Sequence, residues 1–279
     1  MILRVTLAAL ALAALVNGAL AQASVRPQRI VSLNLCADQL LLALADRQQI
    51  ASLSPLARDP SLSFLAREAE AVPINGGRGE AILMSGADLV LMGRFGSHLK
   101  RELLERQGLA VMALEPWRSL DQGRQQIRAV AGRIGHPDRG ERLIAAMDAA
   151  LARSRGIVAG RRSILTVYRR GYVASEESIT GEILRHMGFA LHQEALGLRR
   201  GGLARLESIV AMPPDYALLD EASERAVDNG SALLVHPAFL DAVPRERRLT
   251  IPGHLTICGG PSTPQAIESL AAEVRAKVR

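Results

Sequence analysis

EAILMSGADLVLM, at residues 80–92, and ESIVAMPPDYALL, at residues 207–219, follow one pattern. Each stretch begins with a glutamate, continues as a short apolar helix and a turn, and reaches an aspartate directly before an apolar strand. The aspartates, Asp88 and Asp215, follow their glutamates at the same spacing. Self-similarity at long separation is typical of duplicated structural units. The sequence therefore predicts two related halves.

Short apolar segments alternate with helical segments on both sides of this repeat. The predicted strands are 29–33, 50–54, 71–74, 88–92, 110–114, 163–168, 216–220 and 249–251. The predicted helices are 37–44, 80–85, 99–107, 120–134, 180–187, 206–211 and 264–278. Short apolar strands between helices are typical of parallel sheets with helices on both faces. The fold class is therefore predicted as α/β.

One further helix has no strand beside it. From Asp138 to about Arg155, apolar residues recur on a single stripe, which predicts a helix of roughly five turns. We therefore expect two Rossmann-like lobes with mostly parallel sheets, joined by a single long α-helix. The predicted divisions are an N-terminal lobe at 24–135, a linking helix at 136–159 and a C-terminal lobe at 160–279.

The first 23 residues have the features of a secretory signal peptide. Arg4 supplies a positive charge, residues 5–16 form an apolar run, and the sequence AQA at 21–23 is a small-x-small cleavage signal. The apolar run is too short for a membrane anchor, which needs ~20 residues. Cleavage after Ala23 leaves no cysteine for lipid attachment, so we expect an exported, soluble mature protein.

Composition excludes one class of partner. The chain has 279 residues, of which 48% are hydrophobic, and a formal net charge of +6. The basic residues are scattered along the chain, without a basic stripe or an aromatic-rich motif. We therefore expect no binding to nucleic acid.

The order of these weak motifs resembles a known family. The opening RIVSLNLCADQLL at 29–41, the segment from Glu80 to the strand after Asp88, and the lone long helix resemble the helical-backbone periplasmic binding proteins. Those proteins serve ABC importers of cobalamin, ferric siderophores and haem. The resemblance implies a periplasmic binding component, not an enzyme, that delivers a small metal chelate to an inner-membrane permease. We expect a monomer without a cofactor of its own.

Open parallel sheets bind ligands at the carboxyl ends of their strands, so the strand-to-helix turns should line the cleft. Several of these turns carry arginine, whose planar guanidinium pairs with carboxylates, and aromatic rings that stack on flat ligands. This combination favours an anionic, partly aromatic ligand. The candidate ligand-binding residues are Asn34, Cys36, Arg58, Arg78, Arg94, Phe95, Trp117, Arg118, Tyr168, Arg169, Arg170, Tyr172, Cys258 and Gly259.

The resemblance also implies a role for the glutamates of the repeat. In the family, one surface acid on each lobe docks against a basic pocket of the permease, and Glu80 and Glu207 fall at the matching positions. An alternative interpretation is an acid favoured at a helix N-terminus by the helix dipole.

Cys36 and Cys258 are the only cysteines, one in a predicted cleft turn of each half. Three interpretations stay open: a disulfide across the cleft, two unpaired buried thiols, or soft ligands to a metal. Metal ligation is the least favoured of the three, because no close histidine completes a metal set.

Motifs of metal and hydrolytic chemistry do not occur in the sequence. The six histidines form no H-E-x-x-H pair, so we expect no protein-bound metal site. Neither a G-x-S-x-G elbow nor a complete phosphate-binding loop is present. The alternative to a binding protein is an exported α/β enzyme that acts on a small substrate in the cleft, and a turnover assay would distinguish the two.

Overall fold

The computed structural model describes residues 26–95, 98–222 and 228–279. Its first lobe is built on a sheet of four parallel strands in the order β2-β1-β3-β4. Their bounds are Ile30–Ser32 (β1), Ile50–Ser52 (β2), Leu89–Gly93 (β3) and Ala110–Leu114 (β4). The two central strands, β1 and β3, are buried almost throughout, as expected for a parallel sheet covered on both faces.

Helices follow the strands of this lobe. They are α1 (Leu35–Leu44), α2 (Ala66–Ala69), α3 (Gly79–Met84), α4 (His98–Arg106) and α5 (Leu120–Arg133). Local chemistry sets the starts of the two long ones: the Asn34 side chain accepts the Ala37 N–H at 2.9 Å before α1, and the Ser119 hydroxyl accepts the Gln122 N–H before α5. Both residues satisfy an N–H group that an uncapped helix would leave without a partner.

The second lobe repeats the topology of the first. Its parallel sheet, read from the opposite edge, has the order β7-β5-β9-β10, so both sheets place their strands as second, first, third, fourth. The strands are Ser163–Thr166 (β5), Ala190–Leu191 (β7), Tyr216–Asp220 (β9) and Arg248–Ile251 (β10). A small antiparallel pair, Tyr172–Val173 (β6) and Gly202–Leu203 (β8), lies outside this sheet. The α/β class and the two-lobed arrangement are confirmed.

The helices of the second lobe are α7 (Ile179–Met187), α8 (Leu206–Ala211), α9 (Pro237–Ala242) and α10 (Thr263–Lys277). Ser178 caps α7 through its hydroxyl, which accepts the Gly181 N–H. Gly188 ends the same helix with φ 110°, a backbone conformation that favours glycine.

The aspartates of the repeated pattern have matching structural roles. The Asp88 carboxylate, directly before β3, accepts the backbone N–H of Arg29 at the start of β1 at 3.1 Å. Asp215, directly before β9, accepts the N–H of Ser163 at the start of β5 at 2.7 Å. Each aspartate therefore fixes the amino end of the neighbouring parallel strand, and the Ser163 bonds lower the pKa of Asp215.

Between the lobes lies helix α6 (Pro137–Ser154), which packs against α5 and α10. It begins with a proline in its first turn, where the missing N–H costs nothing. The helix ends at Ser154, one residue before the predicted end at about Arg155, because Arg155 is extended and Gly156 adopts φ 60°. Met147 and Leu151 of α6 belong to one continuous hydrophobic core with residues of both sheets.

Some local elements differ from the prediction. Residues 71–74 do not form a strand; only Ile74 makes a single bridge, with Leu53, so this segment adds little to the sheet edge. The strands β6, β7 and β8 were not predicted, since two residues are too few to show a period. Nor were α2, α9 and the 3₁₀ turns Arg47–Gln49, Pro55–Arg58, Arg169–Gly171, Arg245–Arg247 and Gly253–Leu255.

The predicted signal peptide at 1–23 lies outside the described residues. Among the helices of the described ranges, none is both long and apolar enough to cross a bilayer.

A buried carboxyl group joins α1 to the end of β2. Asp38 is fully buried, and its carboxylate accepts the N–H of Ser54 at 3.0 Å as well as the Ser54 hydroxyl. Burial raises the pKa of Asp38 to about 6, although the hydrogen bonds from Ser32 and Ser54 act in the opposite direction. The folded protein therefore binds this proton more tightly than the unfolded chain does.

We predict that Asp38 makes stability depend on pH between about 4 and 7. Because its folded pKa is raised, its contribution favours folding at low pH and is lost as the pH rises through about 6. The shift corresponds to about 2–3 kcal/mol. In Asp38→Asn, the free energy of unfolding measured by urea denaturation should change less over this range. Asp241→Asn, at an exposed aspartate, is the control, and equal pH profiles for the two variants would contradict the assignment.

Candidate functional site

A cavity of about 510 Å³ lies between the two lobes. Its wall is formed by residues at or after the carboxyl ends of strands in both sheets, together with the start of α7, Lys100 of α4 and Gln126 of α5. The lining residues are Leu33, Asn34, Cys36, Met92, Gly93, Arg94, Phe95, Lys100, Leu114, Glu115, Pro116, Trp117, Gln126, Tyr168, Ser178, Ile179, Thr180, Thr256, Ile257, Cys258 and Gly259. Its volume lies within the range of small-molecule sites.

On the N-terminal side, close backbone packing positions the wall. Gly93 ends β3 beside the side chain of Asn34, where a Cβ would lie 2.8 Å from the Asn34 Nδ2 atom. The amide of Asn34 is already held by its bond to the first turn of α1. The two strand ends therefore approach each other because position 93 has no side chain.

The charged groups of the wall belong to the N-terminal lobe. Arg94 forms an ion pair with Glu115, and the Glu115 N–H donates to the Gln126 Oε1 atom at 2.9 Å. Lys100 Nζ donates to the carbonyl of Gly77 at 2.7 Å. The described wall thus has two cationic side chains and one anionic side chain, so its charge is net positive.

On the C-terminal side, the wall is neutral and partly aromatic. The Tyr168 hydroxyl lies in hydrogen-bonding contact with Thr180 in the first turn of α7. Burial raises the pKa of Tyr168, so the phenol stays protonated at neutral pH and can donate a hydrogen bond. Its ring also pairs with Tyr172, with the ring centroids 6.3 Å apart.

The two lobes meet at one end of this cavity. Cys36 of α1 and Cys258 of the loop before α10 form a disulfide with a Cα–Cα distance of 5.3 Å. Beside it, the indole of Trp117 fits between two glycines, since a Cβ would lie 2.3 Å from the ring at Gly259 and 2.4 Å at Gly123. Trp117 is therefore a buried contact between the lobes as well as part of the cavity wall.

Eight of the candidate ligand-binding residues line the cavity: Asn34, Cys36, Arg94, Phe95, Trp117, Tyr168, Cys258 and Gly259. Phe95 is 79% exposed and Ile257, from the opposite lobe, is 47% exposed, so apolar side chains of both lobes flank the cavity mouth.

The structure does not bring the other six to the cavity wall. Arg58 donates instead to the carbonyls of Glu70 and Val72, which close the loop after β2. Arg169 pairs with Asp228 on the protein surface.

Arg78, Arg118, Arg170 and Tyr172 are exposed residues next to the cleft turns. Arg170 adopts φ 61°, and its backbone N–H donates to the carbonyl of Gly230. This turn is therefore held by the backbone of Arg170 and not by its side chain. Position in a turn therefore does not fix the direction of a side chain.

Sequence analysis missed several wall residues, among them Lys100, Gln126, Ser178, Thr180 and Thr256. Lys100 and Gln126 lie on helices and not in turns. Ser178 carried a usable signal, because a serine before an apolar helical segment predicts an N-cap. Because strand β6 lies between β5 and α7 in the sequence, α7 does not directly follow β5. The position of α7 at the carboxyl end of the sheet was therefore not evident from the sequence.

Glu80 and Glu207 occupy matching places in the two lobes. Each lies exposed in the first turn of a short helix, α3 or α8. Within the described ranges, no group of three or more His, Cys, Asp or Glu side chains is arranged to hold a metal ion.

Comparison with known proteins supports this architecture. The family model Peripla_BP_2, described as periplasmic binding protein, matches residues 30–254. No curated protein sequence matches the chain.

Solved structures share the fold. The periplasmic heme-binding protein RhuT from Roseiflexus sp. RS-1, in apo form, aligns with a TM-score of 0.75 at 24% identity, covering 90% of this chain and 99% of that one. The periplasmic heme-binding protein HutB of Vibrio cholerae gives 0.69 at 19% identity, covering 88% and 98%. An ABC-type Fe3+-hydroxamate transport system protein from Saccharomonospora viridis DSM 43017 gives 0.67 at 21% identity, covering 89% and 93%.

We predict that Gly259→Ala destabilises the contact between the lobes. Its Cβ would meet the buried Trp117 ring at 2.3 Å, and overpacking of this kind costs about 1–3 kcal/mol. Urea denaturation followed by the fluorescence of Trp117, the only tryptophan, measures this effect. Gly76→Ala is the matched control, because nothing lies within 4 Å of its added Cβ. Equal stabilities of the two variants would contradict the packing described.

Proposed function

Because the chain belongs to the periplasmic binding protein family, we propose that it binds an iron chelate, a ferric siderophore or haem, and delivers it to an ABC permease. In this proposal the protein is exported with removal of residues 1–23 and acts as a monomer. It performs no reaction on its ligand. The iron is cargo, carried with the donor atoms of its chelator.

The observation that carries the proposal is the cavity between the lobes. Its wall comes from the carboxyl ends of strands in two parallel sheets of the same topology, which is where open α/β sheets bind ligands. A site shared by two lobes encloses a ligand from both sides. Similar structures are those of heme-binding and Fe3+-hydroxamate transport proteins, which supports an iron chelate as that ligand.

The chemistry of the wall suits a flat, partly apolar chelate with anionic groups. Phe95 and Ile257 present apolar surface at the mouth, and the face of Tyr168 offers a ring for stacking. Arg94 and Lys100 lie on one side, where they would face the carboxylates or the negative charge of the chelate. The neutral hydroxyl groups of the opposite lobe would accept or donate single hydrogen bonds.

Arg94 and Arg118 form a matched pair for testing the site. Both side chains are exposed, but Arg94 lines the cavity and Arg118 does not. A hydrogen bond to a charged group contributes ~1.5–3 kcal/mol, so Arg94→Ala should weaken binding of an anionic chelate by about 10- to 100-fold. Arg118→Ala should bind like the unaltered protein.

Haemin, which carries two propionates, and ferric aerobactin, an anionic citrate–hydroxamate chelate, are the probes, titrated separately by visible absorption and tryptophan fluorescence. Binding of one of them at micromolar or tighter affinity, with loss only in Arg94→Ala, supports the proposal. Failure of both probes to bind the unaltered protein would contradict the ligand class. Equal effects of the two substitutions on chelate binding would show that Arg94 is not part of the binding site.

We also propose that Glu80 and Glu207 dock against basic pockets of the permease. Both acids are exposed, and both stand at the N-terminus of a helix that follows the same position in the repeat. Their helices run towards the amino ends of the sheets, so the acids lie towards the carboxyl ends, where the cavity opens. One charge on each lobe would fix the orientation of the complex more than its affinity.

Reversal of both acids separates docking from ligand binding. Glu80→Lys with Glu207→Lys should leave the dissociation constant of the bound probe nearly unchanged, because neither residue lines the cavity. Chelate uptake through the reconstituted importer should collapse, since like charges would face each other across the interface. The control is a double reversal of exposed acids at the opposite ends of the sheets, Glu105→Lys with Glu246→Lys. Normal uptake by the first variant would contradict the docking assignment.

A further inference from the structure

The Cys36–Cys258 disulfide joins the two lobes within the wall of the cavity. Its cysteines are 222 residues apart in sequence, one at the start of α1 and one in the loop before α10. Both line the cavity, and Cys258 is 3% exposed. The bond is therefore part of the binding surface and crosses from one lobe to the other.

Hydrogen bonds on both sides of the glycine pair 259–260 also hold the loop that carries Cys258. The Ser262 hydroxyl donates to the carbonyl of Cys258 at 3.1 Å, and the Gly260 N–H donates to the Thr263 hydroxyl at 3.0 Å. These bonds connect the loop to the first turn of α10. The disulfide is thus connected through these hydrogen bonds to the long helix α10, and not to an unsupported loop.

Close contacts to the N-terminal lobe surround the bond. A Cβ at Gly260 would lie 3.3 Å from the Leu40 side chain in α1, and Gly259 lies against the ring of Trp117. Nearby, the Leu120 N–H at the start of α5 donates to the Glu182 carboxylate of α7 at 2.6 Å. The disulfide, the indole and this hydrogen bond form a second junction between the lobes.

This junction and α6 share one hydrophobic core, which includes Trp117 as well as Met147, but they lie at different distances from the cavity. No residue of α6 lines the cavity, so the helix joins the lobes away from the site, whereas the disulfide joins them at the site. Apolar packing is not a covalent restraint, so the lobes can still separate locally at the cavity wall, and the disulfide resists that separation.

We propose that the Cys36–Cys258 disulfide is a covalent tether that sets the width of the binding cleft before the ligand arrives. The cavity is then pre-organised, because little conformational freedom is lost when a ligand enters a site whose two walls are already fixed. The inference rests on the proposed function only for the identity of the ligand. The tether itself is a property of the lobes.

The test compares the oxidised protein with Cys36→Ser/Cys258→Ser by hydrogen–deuterium exchange of the full mature chain. Amides of residues 35–44 and 258–263 should exchange about tenfold faster in the variant, because local opening no longer has to strain a covalent bond. Those of α6 and β9 should change less than twofold, on the order expected for elements that do not take part in the opening. Equal exchange at the junction, or a uniform increase in both lobes, would overturn the tether.

Reduction of the unaltered protein with dithiothreitol provides a second route that needs no substitution. Two electrons and two protons pass from the dithiol to the sulfur–sulfur bond, giving two thiols and the cyclic disulfide of the reagent. The exchange pattern should match that of the serine variant and should return to its original state on reoxidation by air. A reduced protein with the oxidised pattern would also overturn the tether.

The affinity for the chelate provides a third test of the tether. Haemin or ferric aerobactin should bind the serine variant about tenfold more weakly than the oxidised protein, because pre-organisation of the cavity is lost. Equal affinities would overturn the role of the tether in binding. If neither probe binds the oxidised protein, the proposed ligand class fails, and the exchange experiments still decide the tether.

Discussion

One hydrophobic core passes through both lobes, and the rest of the structure depends on its continuity. Helix α6 contributes Ile144 and Met147 to it, between Ile127 of α5 on one side and Ile267 of α10 on the other. A core shared in this way cannot shear without exposing apolar surface, which costs roughly 25 cal/mol per Å². The lobes therefore behave as parts of one body, and the cleft between them has a defined shape.

The duplicated sheets explain where the cavity lies. In each lobe the aspartate before the third strand accepts a hydrogen bond from the amino end of the first strand. The carboxyl ends of these strands lie at the opposite edge of the sheet, where the chain leaves the strands for the connections to the helices. Two sheets of equal topology then present equivalent ends to one another across the cleft. The glycines at 93 and 259 let a side chain from the neighbouring segment approach closely, so the wall is both compact and partly apolar.

Prediction from sequence succeeded where a local pattern determines the structure. The repeat at 80–92 and 207–219 predicted the two lobes, and placement in strand-to-helix turns predicted that Trp117, Tyr168 and Cys258 would lie at the cleft. Prediction failed where contacts with residues distant in sequence determine the direction of a side chain. The direction of Arg58 is set by backbone carbonyls of 70–72 and that of Arg169 by Asp228, and no local pattern contains those contacts.

A shared core at one side and a covalent junction in the wall hold the cleft nearly fixed for the iron chelate that we propose as its ligand. Small-angle X-ray scattering of the oxidised protein, with and without saturating chelate, tests it most directly. We expect equal radii of gyration within error and a scattering curve that matches the described arrangement in both states. A ligand-induced closure of tens of degrees, as in hinge-bending binding proteins, would contradict it.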